Sequence, residues 1–359
     1  MNDLKTLAKQ FRLSSPVASF APYGSGHIND TSRLVTEDGT AYIMQRINRN
    51  VFPNVPRLME NIRRVTDHIR AKAIQENGAF TRETLTIVQT LDGKDYFEDT
   101  EGGCWRIYEF IQGASTVDFV STTQQAYEAA RAFGTFQKQL SDLPGGPLFE
   151  SIPGFHDTPK RFRTFLASLE KDKLNRAASA KKEIEFALAR QDKISDVMNG
   201  LANGTIPLRA THNDTKVNNV MMDDTTGKGV CVIDLDTVMS GSVLFDFGDQ
   251  IRTTTVTAAE DERDLSKVKV RLDLFEALIR GYREVADDFL TASERNGLAS
   301  CGALITFEIG LRFLTDFLDG DVYFKTHREG HNLDRCRTQF EMVRQMDEQM
   351  ETLQKLATK

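Results

Sequence analysis

Two short stretches decide how this chain reads: Thr211-His212-Asn213-Asp214-Thr215-Lys216-Val217-Asn218-Asn219 and the apolar run Val230-Cys231-Val232-Ile233-Asp234. The first is a polar loop with a carboxylate at Asp214 and an amide five residues later at Asn219. The second is a strand that delivers another carboxylate at its end, 15 residues after Asn219. An ionised Asp can take a proton from a reacting hydroxyl, and amide and carboxylate oxygens are the hard donors that Mg²⁺ prefers. The bland alternative is a set of turns, because Asn and Asp bond their own loop backbone.

Upstream of this loop, to about residue 113, the pattern is β-rich. Val17 to Tyr23, Ile28 to Thr36 and Ala41 to Ile47 are short strand-like runs, separated by Gly24-Ser25-Gly26 and by the hairpin turn Glu37-Asp38-Gly39. Val55, Leu58, Met59, Ile62, Val65 and Ile69 repeat at helical spacing and predict one helix over 55–72. Strands resume at Leu85 to Val88, turn at Asp92-Gly93 and end with Trp105 to Ile111. Beyond Gly113 helices are expected over about 122–143, 181–201, 259–285, 292–318 and 333–356. Another begins at Asp157-Thr158-Pro159, where an N-cap precedes proline. The N-terminus reads as a surface helix with Leu4, Leu7 and Phe11 on one side. The expected fold class is α+β and bilobal: a small antiparallel sheet with one helix in residues 1–113, a hinge at about 109–113, and a mainly helical lobe in 114–359.

Phosphoryl transfer asks little covalent chemistry of a protein; positioning and charge neutralisation supply most of the catalysis. His212-x-Asp214-x-x-x-x-Asn219 has the spacing of the protein-kinase catalytic loop. On that reading the fold is protein-kinase-like, Asp214 is the catalytic base, Asn219 and Asp234 hold Mg²⁺, and Lys216 reaches the γ-phosphate of ATP. Gly24, Ser25 and Gly26 form the phosphate-covering turn, since glycine lets backbone N–H groups approach phosphate oxygens. Asp246-Phe247-Gly248 invites misassignment as the metal motif, but it lies 27 residues after Asn219 and follows a loop. Asp246 is therefore expected to tie down the catalytic loop. Asp236 is expected either to support the metal or to sit solvated at the surface.

A net charge of −7 and a pI near 5.5 argue against a nucleic-acid partner. Cys104, Cys231, Cys301 and Cys336 lie far apart, which suggests neither a zinc site nor a disulfide framework and fits a reducing, cytoplasmic setting. No secretory signal is expected from the charged N-terminus. The best membrane candidate, Cys301 to Leu318, is interrupted by Glu308, Arg312 and Asp316, so no membrane partner is expected.

These motifs resemble the aminoglycoside phosphotransferase and choline kinase superfamily over most of the chain. Tyr23-Gly24-Ser25-Gly26-His27-Ile28-Asn29, Phe155-His156-Asp157-Thr158-Pro159 and Ile233-Asp234-Leu235-Asp236-Thr237 are similar to phrases of the N-acetylhexosamine 1-kinases within it. So are Leu244-Phe245-Asp246-Phe247-Gly248-Asp249 and Arg312-Phe313-Leu314 with Tyr323 beyond. The resemblance implies ATP-dependent phosphorylation of the anomeric hydroxyl of N-acetylglucosamine or N-acetylgalactosamine, with His27, Asp214, Arg312 and Tyr323 facing the sugar. It also implies adenine recognition by the backbone of the hinge from Glu109 to Gly113, with Glu109 and Ile111 as the contact residues. Two departures stand out. The third strand offers Gln45 and Arg46, on opposite faces, where kinases place a phosphate-holding lysine, and Thr253 follows Arg252 where the N-acetylhexosamine enzymes are expected to carry an aromatic ring.

Glu308, Arg312 and Asp316 recur every four residues on one helix face, either as an intrahelical ion ladder or as a ligand-facing arginine between carboxylates. Among the histidines, His156 is expected to pack or cap, His68 to sit on a solvated face, and His327 and His331 to be exposed. Three competing functions remain open to the residues: a kinase for another sugar, amino alcohol or aminoglycoside, a silent nucleotide-binding scaffold, and a metal-dependent hydrolase built on Asp234 and Asp236.

Overall fold

Glu37-Asp38-Gly39 turns the chain as its composition predicts. Gly39 takes φ +85°, and Asp38 Oδ1 accepts from the Thr36 hydroxyl at 2.6 Å and from the Thr40 N–H at 3.1 Å, which fixes the hairpin. The turn joins β2 (Asp30–Thr36) to β3 (Ala41–Ile47) in a computed structural model that describes residues 4–24 and 28–359. With β1 (Val17–Pro22), β4 (Ile87–Val88), β5 (Phe97–Glu98) and β6 (Cys104–Glu109) these strands form an antiparallel sheet in the order β1-β2-β3-β6-β4, with β5 added on β6. One long helix, α2 (Val55–Asn77), accompanies it. The helix starts on the Asn54 cap and runs five residues past the predicted end, because nothing before Gly78, at φ +76°, breaks it.

The predicted surface helix is corrected. Helix α1 is Leu4–Ala8, and Leu7 and Phe11 are buried with Leu34, Met44, Val88 and Ile107 of the sheet. Phe11 pairs with Thr90 as an isolated bridge, so this segment closes the sheet's apolar face.

The chain divides into two compact units. The first contains residues up to 115 together with 142–153 and 221–239. Its second small sheet runs β10-β9-β7, from β7 (Ala114–Ser115), β9 (Val220–Asp223) and β10 (Gly229–Val232), over a core of Ala114, Met221 and Cys231.

The second unit is helical. It contains α3 (Thr123–Leu140), α4 (Thr158–Lys171), α5 (Lys181–Leu188), α6 (Asp196–Asn203), the short strand β8 (Arg209–Thr211), α7 (Val243–Thr254), α8 (Leu272–Ala286), α9 (Ala292–Gly297), α10 (Cys301–Asp319), α11 (His331–Glu348) and α12 (Met350–Thr358). Thr122 and Gln125 close a reciprocal capping box on α3, and Asp157 caps α4. Helix α3 approaches α8 so closely that a Cβ on Gly281 would stand 2.2 Å from the Tyr127 carbonyl oxygen. Helix α10 packs against α4, α7 and α11.

Four predicted long helices are shorter or broken. The 181–201 stretch turns between α5 and α6, which carries Ile194 into the core. Residues 259–271 stay out of α8 because Asp264 caps a single turn at Leu265–Lys267 and Val256 bridges Val270. The 292–318 and 333–356 stretches break before Cys301 and at Gln349. An apolar stripe continues across such breaks, so periodicity does not register them. All four cysteines are free and buried, and among the described residues no helix is long and apolar enough to cross a membrane.

Candidate active site

The loop after β8 is held from below by one buried carboxylate. Asp246, in the first turn of α7, accepts from the backbone N–H of His212 at 2.9 Å and of Asn213 at 2.7 Å, and from Gln137 Nε2 at 2.7 Å. The Thr215 hydroxyl donates to its carbonyl at 2.5 Å. This is the tethering role expected of Asp246, and its motif lies within a helix. Burial pushes the Asp246 carboxyl up, against the pull of His212 and of the two N–H groups. Asn213 adopts φ +65°, a sparsely populated conformation that Asn tolerates, and its Nδ2 donates back to the Thr211 carbonyl at 3.1 Å.

Asp214 follows, with Lys216 Nζ 2.9 Å from its Oδ1. Burial raises the Asp214 pKa, but the charges of Lys216, His212 and Arg252 outweigh it and hold the group below the usual carboxylate range. The carboxylate is thus ionised at neutral pH, the state a base requires. Asn219 Nδ2 donates to the Asp214 carbonyl at 2.8 Å, which leaves Asn219 Oδ1 as the amide atom suited to a cation. Arg252, nearly buried, is bound to Asp249 at 2.8 Å and lies 3.5 Å from Glu260.

The Glu308-Arg312-Asp316 face of α10 is not an ion ladder. Glu308 bonds His156 at 2.8 Å and the Thr158 hydroxyl at 2.6 Å. Asp316 accepts from the N–H groups of Val322, Tyr323 and Phe324 at 2.8–2.9 Å and from Asn332 Nδ2 at 2.8 Å, so it pins the loop that carries Tyr323. Neither carboxylate bonds Arg312 among the described residues; its guanidinium instead lies over the rings of Phe155, Tyr323 and Phe324 at 5.4, 5.8 and 5.4 Å. The second unit thereby brings together Asp214 with Lys216 and Asn219, and separately Arg312 with Tyr323.

In the first unit Asp234 stands exposed just past β10 in the left-handed region, φ +58°. Asp236 corrects the expectation of a solvated carboxylate: it is 2% exposed and forms a two-pronged ion pair with Arg106 of β6, with the second contact at 2.9 Å. Asn29 Nδ2 also donates to Asp236, at 2.6 Å. Gln45 faces this network, accepting from Arg106 Nε at 3.0 Å and Nη2 at 2.8 Å, whereas Arg46 is exposed over the Trp105 ring. Gly24 sits at φ +78° at the end of the first hairpin; Ser25, Gly26 and His27 lie outside the described residues. Glu109 spends its N–H on the Thr86 carbonyl at 3.0 Å, and Ile111 lies half-buried beyond it.

The pairings of Arg106 with Asp236 and of His156 with Glu308 escaped the sequence reading. Arg106 left a signal, because an arginine inside the apolar strand Cys104-Trp105-Arg106-Ile107-Tyr108 must find a buried carboxylate. His156 left little, since its partners are 57 and 152 residues away. His331 is also corrected: it is 2% exposed and bonds Asp261 at 3.0 Å, while His327 is exposed and His68 is half-buried against Asp142.

No group of three His, Cys, Asp or Glu side chains capable of holding a metal exists among the described residues. Mg²⁺ needs none, because it keeps waters and takes one or two protein oxygens plus substrate phosphates, and the donors at Asn219 and Asp234 are of that hard type.

The model of the phosphotransferase enzyme family matches residues 19–286. Among solved structures, a microcompartment-associated aminopropanol kinase is 15% identical with a TM-score of 0.62, each chain being covered over 98%. An amicoumacin kinase solved with AMP-PNP and Ca²⁺ is 14% identical, TM-score 0.59, covering 97% of this chain and 92% of its own. The choline kinase of Cryptosporidium parvum is 15% identical, TM-score 0.58, with coverages of 97% and 96%. At such identities the likeness speaks to the fold: an antiparallel-sheet N-terminal lobe and a helical C-terminal lobe of the protein-kinase-like kind.

Proposed function

We propose that this chain, which belongs to the phosphotransferase enzyme family, transfers the γ-phosphoryl group of ATP to the anomeric C1 hydroxyl of an N-acetylhexosamine, giving the sugar 1-phosphate and ADP. The observation that carries the reading is the Asp214 loop: an ionised carboxylate with Lys216 against it, Asn219 bonded to its backbone, and the two preceding N–H groups fixed on Asp246.

In the mechanism that follows, Asp214 accepts the hydroxyl proton as the acceptor oxygen attacks phosphorus. Lys216 keeps Asp214 ionised and reaches the γ-phosphate. Asn219 and Asp234 would hold Mg²⁺, which would neutralise charge on the phosphate oxygens. Residues 1–113 cover the ATP phosphates through Gly24, Ser25 and Gly26, with Gln45 or Arg46 toward the phosphates and Glu109 and Ile111 at the adenine. Residues 114–359 carry the base and bind the sugar through Arg312 and Tyr323, and His27 is the sugar-facing residue of the N-terminal segment. Aromatic rings around Arg312 suit a sugar's mixed polar and apolar faces.

A second acceptor class is favoured by one observation: Thr253 replaces the expected ring, and its hydroxyl is turned onto its own helix, donating to the Asp249 carbonyl at 2.8 Å. A panel of N-acetylhexosamines, other sugars, amino alcohols and aminoglycosides, read by ADP release and by the phosphorylated oxygen, decides the acceptor. Turnover confined to alcohols outside the N-acetylhexosamines would refute the sugar assignment. Asp214→Asn should lower turnover by roughly 10²-fold or more with ATP binding retained. Full turnover in that variant would remove Asp214 as the base.

A further inference from the structure

Neither His156 nor Glu308 is among the residues assigned to the base, the metal, ATP or the sugar. His156 Nδ1 is 2.8 Å from Glu308 Oε1, and Nε2 is 3.1 Å from the carbonyl oxygen of Asn213, the residue before Asp214. A carbonyl only accepts, so Nε2 carries a hydrogen. Nδ1 faces a carboxylate oxygen, so a second proton lies between that pair. Glu308 Oε2 takes the Thr158 hydroxyl at 2.6 Å, and the side chains of His156 and Glu308 are 4% and 0% exposed. The pair is fully bonded with two protons. With one, either the Asn213 carbonyl loses its donor or a nitrogen lone pair meets an oxygen in a place water does not reach.

We propose that the His156–Glu308 pair is a positioning device: it holds the Asn213 carbonyl, and through it Asp214, against helix α10, and releases it when the shared proton is lost. The proposal rests on the reading of Asp214 as the base. Asn213 sits at φ +65°, so its geometry persists only if both sides of the residue are held. Asp246 holds the N–H side and His156 the carbonyl side.

The surroundings favour the charged pair. Burial pushes the His156 pKa down, but Glu308, the Asn213 carbonyl and Asp249 of α7 carry it above its ordinary value. Burial pushes Glu308 up, and His156, Thr158 and Arg312 bring it below its ordinary value. Arg161 of α4 also feels Glu308, and the rings of Phe155 and Phe245 lie beside the imidazole.

Turnover by the full-length protein at saturating ATP and acceptor should therefore fall with a one-proton slope above neutral pH, by roughly 10- to 10²-fold, as expected when the base is displaced. Glu308→Gln tests the origin of that limb. Its amide can donate to a neutral Nδ1 and still accept from Thr158, so the variant should keep activity at neutral pH and lose the alkaline decline. The same decline in Glu308→Gln would overturn the proposal. Should that variant not fold, ¹⁵N shifts of His156 in the unsubstituted protein decide: an imidazolium signature at pH 7 supports the pair, and a neutral ring with no proton shared toward Glu308 refutes it. Asp214→Asn should retain that signature while losing turnover. Full turnover there would mark failure of the base assignment, separately from failure of the pair.

Discussion

Two buried ion pairs, one in each unit, do similar work with different chemistry. In the first unit Arg106 grips Asp236, two residues after Asp234, and ties that segment to β6. In the second, His156 grips Glu308 and ties the residue before Asp214 to α10. A guanidinium stays charged at any working pH, and burial, which pulls the Arg106 pKa down, is outweighed by Asp236 and its neighbours. An imidazolium does not share that indifference. The difference teaches that anchoring a functional segment fixes its place, while the choice of cation decides whether pH can loosen it.

The comparison can be broken most forcefully at Arg106. Arg106→Met strands the Asp236 charge and should lower unfolding free energy by about 3–5 kcal/mol, read from the urea midpoint, with no dependence on pH above neutrality. Adding Asp236→Leu should restore most of that loss, because the uncompensated charge is then gone. Asp246→Asn should cost less, about 1–3 kcal/mol, since one amide oxygen cannot serve the donors that two carboxylate oxygens serve. It should also lower turnover at unchanged affinity for ATP.

The His156–Glu308 pair should show the pH signature that Arg106 lacks. Because the folded His156 value is raised, its contribution is complete below the unfolded value near 6.5 and is lost as pH rises through the folded one. Because the folded Glu308 value is lowered, its contribution is complete above the ordinary 4.5 and is lost as pH falls through the folded one. Denaturant midpoints from pH 4.5 to 9 should decline on the alkaline side in the unsubstituted protein, and the decline should be absent in His156→Gln. The smallest effect belongs to exposed helical pairs such as Lys355–Glu351, where Lys355→Ala should cost no more than about 0.5 kcal/mol and vanish at high salt.

Much of the fold was legible locally. Strands β1 to β3, helix α2 and the cap of α4 follow from alternation, helical spacing and the Asp157 signal. The breaks at Gln349 and before Cys301 were not, because the apolar stripe runs on across them. Asp246 was legible as a tether from its position in the chain. Asp236 was not, since a solvated carboxylate and one paired to an arginine 130 residues away have the same local sequence.

The sequence by itself determined the α+β order of elements and the candidate residues for phosphoryl chemistry, because backbone propensity, turn residues and side-chain type act over a few positions. Only the tertiary structure decided which charges meet which partners: Arg106 with Asp236, His156 with Glu308, Asp316 with the loop of Tyr323, and Arg312 over aromatic rings. The physical reason is desolvation. Burying a charge is costly unless a partner arrives from elsewhere in the chain, and that partner is chosen by packing, which no local window of sequence contains.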